Sequence, residues 1–107
     1  MRTKEQIKQE NDKCRRALIN SNRCKIMLTP GVNESEHRAE ILESVRNFDS
    51  FTGDNDPHGE HDFGSVSVQG QKYFFKFDYY DENLEYGVDP LEEEPVRVLT
   101  IMHSSEY

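Results

Sequence analysis

Residues 53 to 64, "GDNDPHGEHDFG", concentrate the side chains best able to do chemistry. Asp54, Asp56, His58, Glu60 and Asp62 fall on every second residue, and His61 stands between the last two. Gly53, Pro57, Gly59 and Gly64 bend the backbone around them. Imidazole and carboxylate in one loop can hold a divalent cation. They can also form a His–carboxylate pair poised near neutral pH. The same residues serve equally well in a plain polar turn, because Asp and Asn cap turns, Asp-Pro starts them and Gly permits positive φ.

Each chemistry demands a spacing. A calcium loop finds Asp54 and Asp56 at its first and third positions and Gly59 at its sixth. It then fails, because His58 takes the fifth position and Ser65 stands where a bidentate Glu belongs. Zinc is the favoured ion. His58 and His61 are i and i+3, and Asp56, Glu60 or Asp62 could complete a tetrahedron, with Asp78, Asp81, Asp89 or His103 as more distant ligands. This is not the helical His-Glu-x-x-His spacing, so a bound ion implies no reaction class. Ser65 and Ser67 lack a nucleophile elbow.

The flanking segments must position this loop. Residues 3–20 read as a helix with a thin apolar stripe of Ile7, Cys14 and Leu18, capped by Thr3. "CKIMLT" (24–29) reads as a strand stopped by Pro30-Gly31. A second helix is expected from Asn33, with Glu36 as capping-box partner and Ile41, Leu42, Val45 and Phe48 as its apolar face. "HDFGSVSV" and "KYFFKFDYY" alternate on either side of Gln69-Gly70 and predict a hairpin at the centre of a sheet. Tyr73, Phe75, Phe77 and Tyr79 share one face, read as core under the helices rather than as a base-stacking platform. "VRVLTIMH" (96–103) is the last strand. The order α-β-α-β-β-β predicts one α+β domain over residues 1–107, two helices on one face of a four-stranded antiparallel sheet.

Charge is distributed unevenly. The net charge is −8, yet residues 1–28 hold eight Lys and Arg against three acids. Residues 54–94 hold twelve acids against Lys72 and Lys76 alone. Such a field repels phosphate backbones and anionic membranes and attracts basic protein surfaces or cations; it also confers solubility. Six Phe and five Tyr argue for a folded core despite 32% charged residues. The charged start, "MRTKEQIKQE", is not a secretory leader, no apolar run could span a bilayer, and a cytoplasmic setting is expected. Cys14 and Cys24 form no Cys-x-x-Cys pair and read as two idle thiols.

The chain resembles a small bacterial family of domains of unknown function. The shared pattern runs from Asn11-Asp12 and Arg15 through "LTPGV" (28–32), "VRNFDSFTGDNDPHGEHDFG" (45–64), "KFDYYD" (76–81) and Asp89-Pro90 to "RVLTIMHSSEY" (97–107). The family often has Trp where this chain has Phe75, and an apolar residue where it has His103. The resemblance implies no reaction. It implies a setting on plasmids, phages and other mobile elements. It also suggests one polar cluster at an end of the sheet, where His58, Glu60, His61 and Asp62 would meet Asp78, Asp81 and Glu106.

Two functions follow as expectations. The first is a small acidic anti-defence protein, of anti-CRISPR or anti-restriction type, that inhibits a nuclease complex by binding its Lys- and Arg-lined surface. Its contact residues would be Asp81, Glu82, Glu85, Asp89, Glu92, Glu93 and Glu94, and a single divalent ion, zinc for preference, would order the 54–62 loop. No direct nucleic-acid or membrane contact is expected. The alternative is a small metal-dependent enzyme, a hydrolase, in which an ion held by Asp56, His58, Glu60, His61 and Asp62 activates water.

Overall fold

The alternating segment "QKYFFKFDYY" forms the longest strand of a four-stranded sheet. The computed structural model describes residues 2–107 and has the order α1 (Lys4–Ala17), β1 (Cys24–Leu28), α2 (Pro30–Asn33), α3 (Arg38–Arg46), β2 (Phe63–Val68), β3 (Gln71–Tyr80) and β4 (Val96–His103), closed by a 3₁₀ turn at Ser104–Glu106. The α+β class is as expected. Among the described residues no helix is long and apolar enough to cross a membrane.

The sheet order is β1-β4-β3-β2, so β3 and β4 are central and the β2–β3 hairpin reaches one edge. The hairpin turns on Gln69 and Gly70, both at positive φ (52° and 74°), which suits the right-handed twist of the strands. Its register sets Phe63 opposite Lys76 and Val68 opposite Gln71. The sheet is mixed, not purely antiparallel. β1 runs parallel to β4, with Cys24 opposite Arg97 and Leu28 opposite Ile101. The cause is the helical segment after β1: it carries the chain back before β2 begins, so β2 runs parallel to β1, and β4 then inserts between β1 and β3.

The helical region after β1 is two pieces rather than one helix from Asn33. Pro30, with φ preset and no amide to lose, occupies the first turn of α2. Asn33 ends that helix, and the capping box with Glu36 does not form. α1 does have its capping box, between Thr3 and Gln6. It stops at Ala17 because Leu18 turns left-handed (φ 49°) and donates its amide to the Cys14 carbonyl at 3.0 Å.

All the α-helices lie on one face. Val32, Ile41 and Val45 pack with Tyr73, Phe75, Phe77, Leu99 and Ile101, so the aromatic face of β3 is core. Gly64 is required there, since a Cβ would stand 2.3 Å from the Phe75 ring. α1 is less conventional. Its buried residues are Ile7, Asn11, Cys14 and Arg15, a stripe half polar.

Cys14 and Cys24 are joined in a disulfide, their Cα atoms 6.0 Å apart, and are not free thiols. The bond ties the last turn of α1 to the first residue of β1, a juxtaposition set by the left-handed turn at Leu18 rather than by any Cys-x-x-Cys spacing. Closing a loop this short is worth about 2–3 kcal/mol. Replacing both cysteines with Ala should therefore lower stability by about that amount in urea unfolding. An unchanged midpoint under non-reducing conditions would mean that the two sulfurs are not bonded in solution.

Candidate functional site: a polar clamp between α1 and the acidic loop

The 54–62 loop is built from the inside by Asp56. Its Oδ1 accepts the amides of Glu60 and His61, each at 3.1 Å, and its carbonyl accepts the amide of Gly59. Gly59 (φ 67°) and His61 (φ 55°) are both left-handed. That conformation is natural for Gly and costs a non-Gly residue free energy. At His61 the side chain is held from three sides. The Phe51 ring stacks on the imidazole at 3.7 Å and 5°. Nδ1 lies 2.9 Å from Asp12 Oδ1, and Nε2 lies 3.7 Å from Asp56 Oδ2. A carboxylate only accepts, so Nδ1 carries a proton and donates to Asp12.

Asp12 sits on α1, and its second partner is Arg15, one turn on, at 3.1 Å. Arg15 is fully buried. Its Nη1 donates to the carbonyls of Val45 (2.8 Å) and Arg46 (3.1 Å) at the end of α3, where the helix runs short of amide donors, and Val45 also accepts the Phe48 amide at 3.3 Å. The guanidinium carbon stands 5.5 Å from the Phe51 ring centre and 5.6 Å from that of Phe75. Burial pulls the Arg15 guanidinium below its ordinary value, and Asp12 opposes the shift. A second branch starts at Asn11. Its amide nitrogen donates to the Glu60 carbonyl (3.1 Å) and the Tyr79 hydroxyl (2.8 Å), and its oxygen accepts from Arg97 Nε at 3.0 Å. Arg97 also pairs with Glu10 at 2.7 Å, and Arg2 pairs with the same carboxylate.

The five residues expected to ligate a metal are thus divided. Asp56 and His61 come together, joined by Asp12. Glu60 faces the Tyr79 hydroxyl at 3.4 Å. His58 is exposed at the loop tip, and Asp62 is half-buried. Burial pushes the Glu60 carboxyl up, aided by Asp62. Burial also raises Asp62, and the nearby charges of Asp56 and Asp78 add to it. Tyr79 is pushed up by burial and stays a donor. Tested for fit, these groups do not surround one ion. The two ring nitrogens of His61 point to different carboxylates, and Asp56 Oδ1 is held by two amides. Among the described residues no group of three or more His, Cys, Asp or Glu side chains could hold a metal.

The single cluster expected at one end of the sheet is also distributed. Asp78 pairs with Lys76 at 2.9 Å on the face away from the helices. Asp81 caps its own loop, accepting the amides of Asn83 and Glu85. Glu106 reaches α2, taking the Thr29 hydroxyl (2.7 Å), the Gly31 amide (2.8 Å) and the His103 amide (2.8 Å), and these donors hold its carboxyl below the usual range.

The family described as a protein of unknown function, DUF3768, matches residues 28–106. The chain belongs to the DUF3768 family. The comparisons with curated proteins and with solved structures each returned no match. The DUF3768 match begins at Leu28, so it contains the acidic loop but not Asn11, Asp12 and Arg15, the α1 residues that clamp it. The composition of the loop did not point to Arg15, Phe51 or Arg97. The pattern that carries the family resemblance does include Asn11, Asp12, Arg15, Phe51 and Arg97, and Asn11 and Arg15 also stand i and i+4 on a helix otherwise poor in apolar residues.

Two outcomes are expected. Arg15→Ala leaves Asp12 with His61 as its one charged partner, strips the Val45 and Arg46 carbonyls of their side-chain donor, and should cost about 3–5 kcal/mol in chemical unfolding. Chelator should leave the thermal midpoint of this DUF3768 protein unchanged, because protein groups alone hold the loop. A fall of several degrees, with stoichiometric zinc in elemental mass spectrometry, would show that the loop reorganises around an ion.

Proposed function

We propose that this protein is a small acidic inhibitor of the anti-defence type, which blocks a nuclease complex, CRISPR or restriction, by docking on its basic surface. The observation that carries the reading is the loop between β3 and β4. Glu82, Glu85, Asp89, Glu92, Glu93 and Glu94 are exposed on it, and Asp81 is half-buried at its base. Of these, only Glu82 has a cationic partner among the described residues, Arg23 at 3.2 Å.

The loop is ordered before any partner arrives. Asp81 caps its first turn, and Asp89 caps a second by accepting the Leu91 amide at 2.9 Å. Pro90 and Pro95 are buried, and Arg2 Nε donates to the Pro90 carbonyl at 2.8 Å. Pre-ordering lowers the entropic cost of binding, and a dense negative field speeds encounter with a basic surface while repelling nucleic acid and anionic lipid. The mobile-element setting implied by the resemblance supports the same reading. The metal-dependent hydrolase reading is set aside because both nitrogens of His61 are already directed at carboxylates.

Reversal of Glu92, Glu93 and Glu94 to Lys should abolish inhibition of DNA cleavage by the target nuclease while leaving the melting temperature nearly unchanged. Wild-type inhibition should weaken as salt rises. Inhibition that survives both the reversal and high salt would remove the acidic loop from the interface.

A further inference from the structure

The helices cover only one face of the sheet. On the other face Met27, Val98 and Met102 line a groove of about 580 Å³, walled by Leu84 from the acidic loop and by Tyr107 at the chain end. Met27, Leu84 and Tyr107 are 56%, 46% and 75% exposed, among the most exposed large apolar side chains of the described residues. Scattered exposed apolar residues need no explanation, but several converging on one groove mark an interaction site.

We propose that this uncovered face docks an amphipathic, basic helix of a partner protein. Footprint and charge choose the occupant. Four strands about 4.8 Å apart, of 5, 6, 10 and 8 residues, present roughly 400–500 Å² of flat surface. That falls well short of the ~800 Å² per partner that a stable dimer buries. It suits one helix about 10 Å across lying along the groove. A second copy would also bring a net charge of −8 against −8.

Lys76, Asp78 and Glu106 line the groove, and Arg23, Lys25 and Glu82 lie beside it around Leu84. Two of those cations are already paired within the chain, Lys76 with Asp78 and Arg23 with Glu82. Lys or Arg on the flanks of a docked helix would meet Glu85, exposed next to Leu84, and the acidic loop beyond it. The left-handed backbone at Leu84 (φ 58°) holds that side chain at the groove wall, where relaxed backbone would redirect it.

The inference rests on reading the chain as a binding protein, not on a nuclease being the target. The test is an NMR titration with a synthetic helical peptide of about 14 residues, three to four turns, with Leu on one stripe and Lys elsewhere. A second peptide keeps the Leu stripe and replaces Lys by Glu. The Lys peptide should shift the amides of Met27, Val98, Thr100 and Met102 saturably. It should bind at least about tenfold more tightly than the Glu peptide. Thr100→Lys sets a charge in the groove and should weaken binding by about the same factor, with the melting temperature retained.

Shifts confined to residues 81–94 would overturn the proposal, as would equal binding of the two peptides or affinity unchanged in Thr100→Lys. Sedimentation showing a dimer that Thr100→Lys dissociates would also overturn it, by assigning the face to a second copy. Failure of nuclease inhibition would bear on the acidic loop alone, because the peptide reads the groove directly.

Discussion

A fully buried guanidinium organises this fold. Arg15 has one carboxylate partner, Asp12, and two carbonyl partners at the end of α3, while its Nε finds none. Such a group is expensive to desolvate and tolerable only with its partners in place. Those partners come from distant parts of the chain. Asp12 is steadied by His61, and the α3 carbonyls are presented only if that helix ends at Arg46. Phe51 closes the arrangement, stacked on His61 on one side and within cation–π range of Arg15. The charge makes the position of α1, the end of α3 and the conformation of the acidic loop mutually dependent.

That dependence explains why α1 can pack with so little hydrocarbon. Glu10, Asn11, Asp12 and Arg15 each reach a different element: Arg97 on β4, Tyr79 on β3, the 56–61 loop and the end of α3. A polar network of this kind specifies one register of helix against sheet, because a slip of one residue leaves several buried groups unpaired at once. The disulfide at Cys14 reinforces the same placement from the C-terminal end of the helix. A domain of 107 residues with 34% hydrophobic content thus fixes its layers by partner matching as well as by apolar area.

The parts of the fold legible in the sequence are those with a local signal. The period of two in "KYFFKFDYY", the Gln69-Gly70 turn and the apolar run "VRVLTIMH" gave strands within a residue or so of β3 and β4. The parallel β1–β4 pairing had no such signal, because pairing of residues 24–28 with 97–101 depends on where a crossover delivers the chain. The loop was ambiguous for a chemical reason: His and Asp at short spacing are what a zinc site needs and also what a hydrogen-bonded turn needs. The difference lies in the second partner of each group. For His61 that partner is Asp12, 49 residues away on a helix whose stripe was read only from Ile7, Cys14 and Leu18.

The clamp also separates two tasks that the acidic composition blurs. In the 54–62 loop Asp56 is buried and holds the loop's own amides and Glu60 faces the Tyr79 hydroxyl, so both serve the fold. The carboxylates between Asp81 and Glu94 cap their own turns or face solvent. The α-helices lie on one side of the sheet; the other side has no helical layer, and there Met102 is buried and Tyr107 packs against Phe63 and Phe74 while Met27 is exposed. A four-stranded sheet covered once is stable because β3 and β4 bury their aromatic and aliphatic inner face. Its outer face is then free to carry side chains chosen for something other than folding. With the helical side locked by Arg15, a partner docking as proposed would meet a surface that is already ordered, and its binding energy would go into the contact with little lost to rearrangement of the domain.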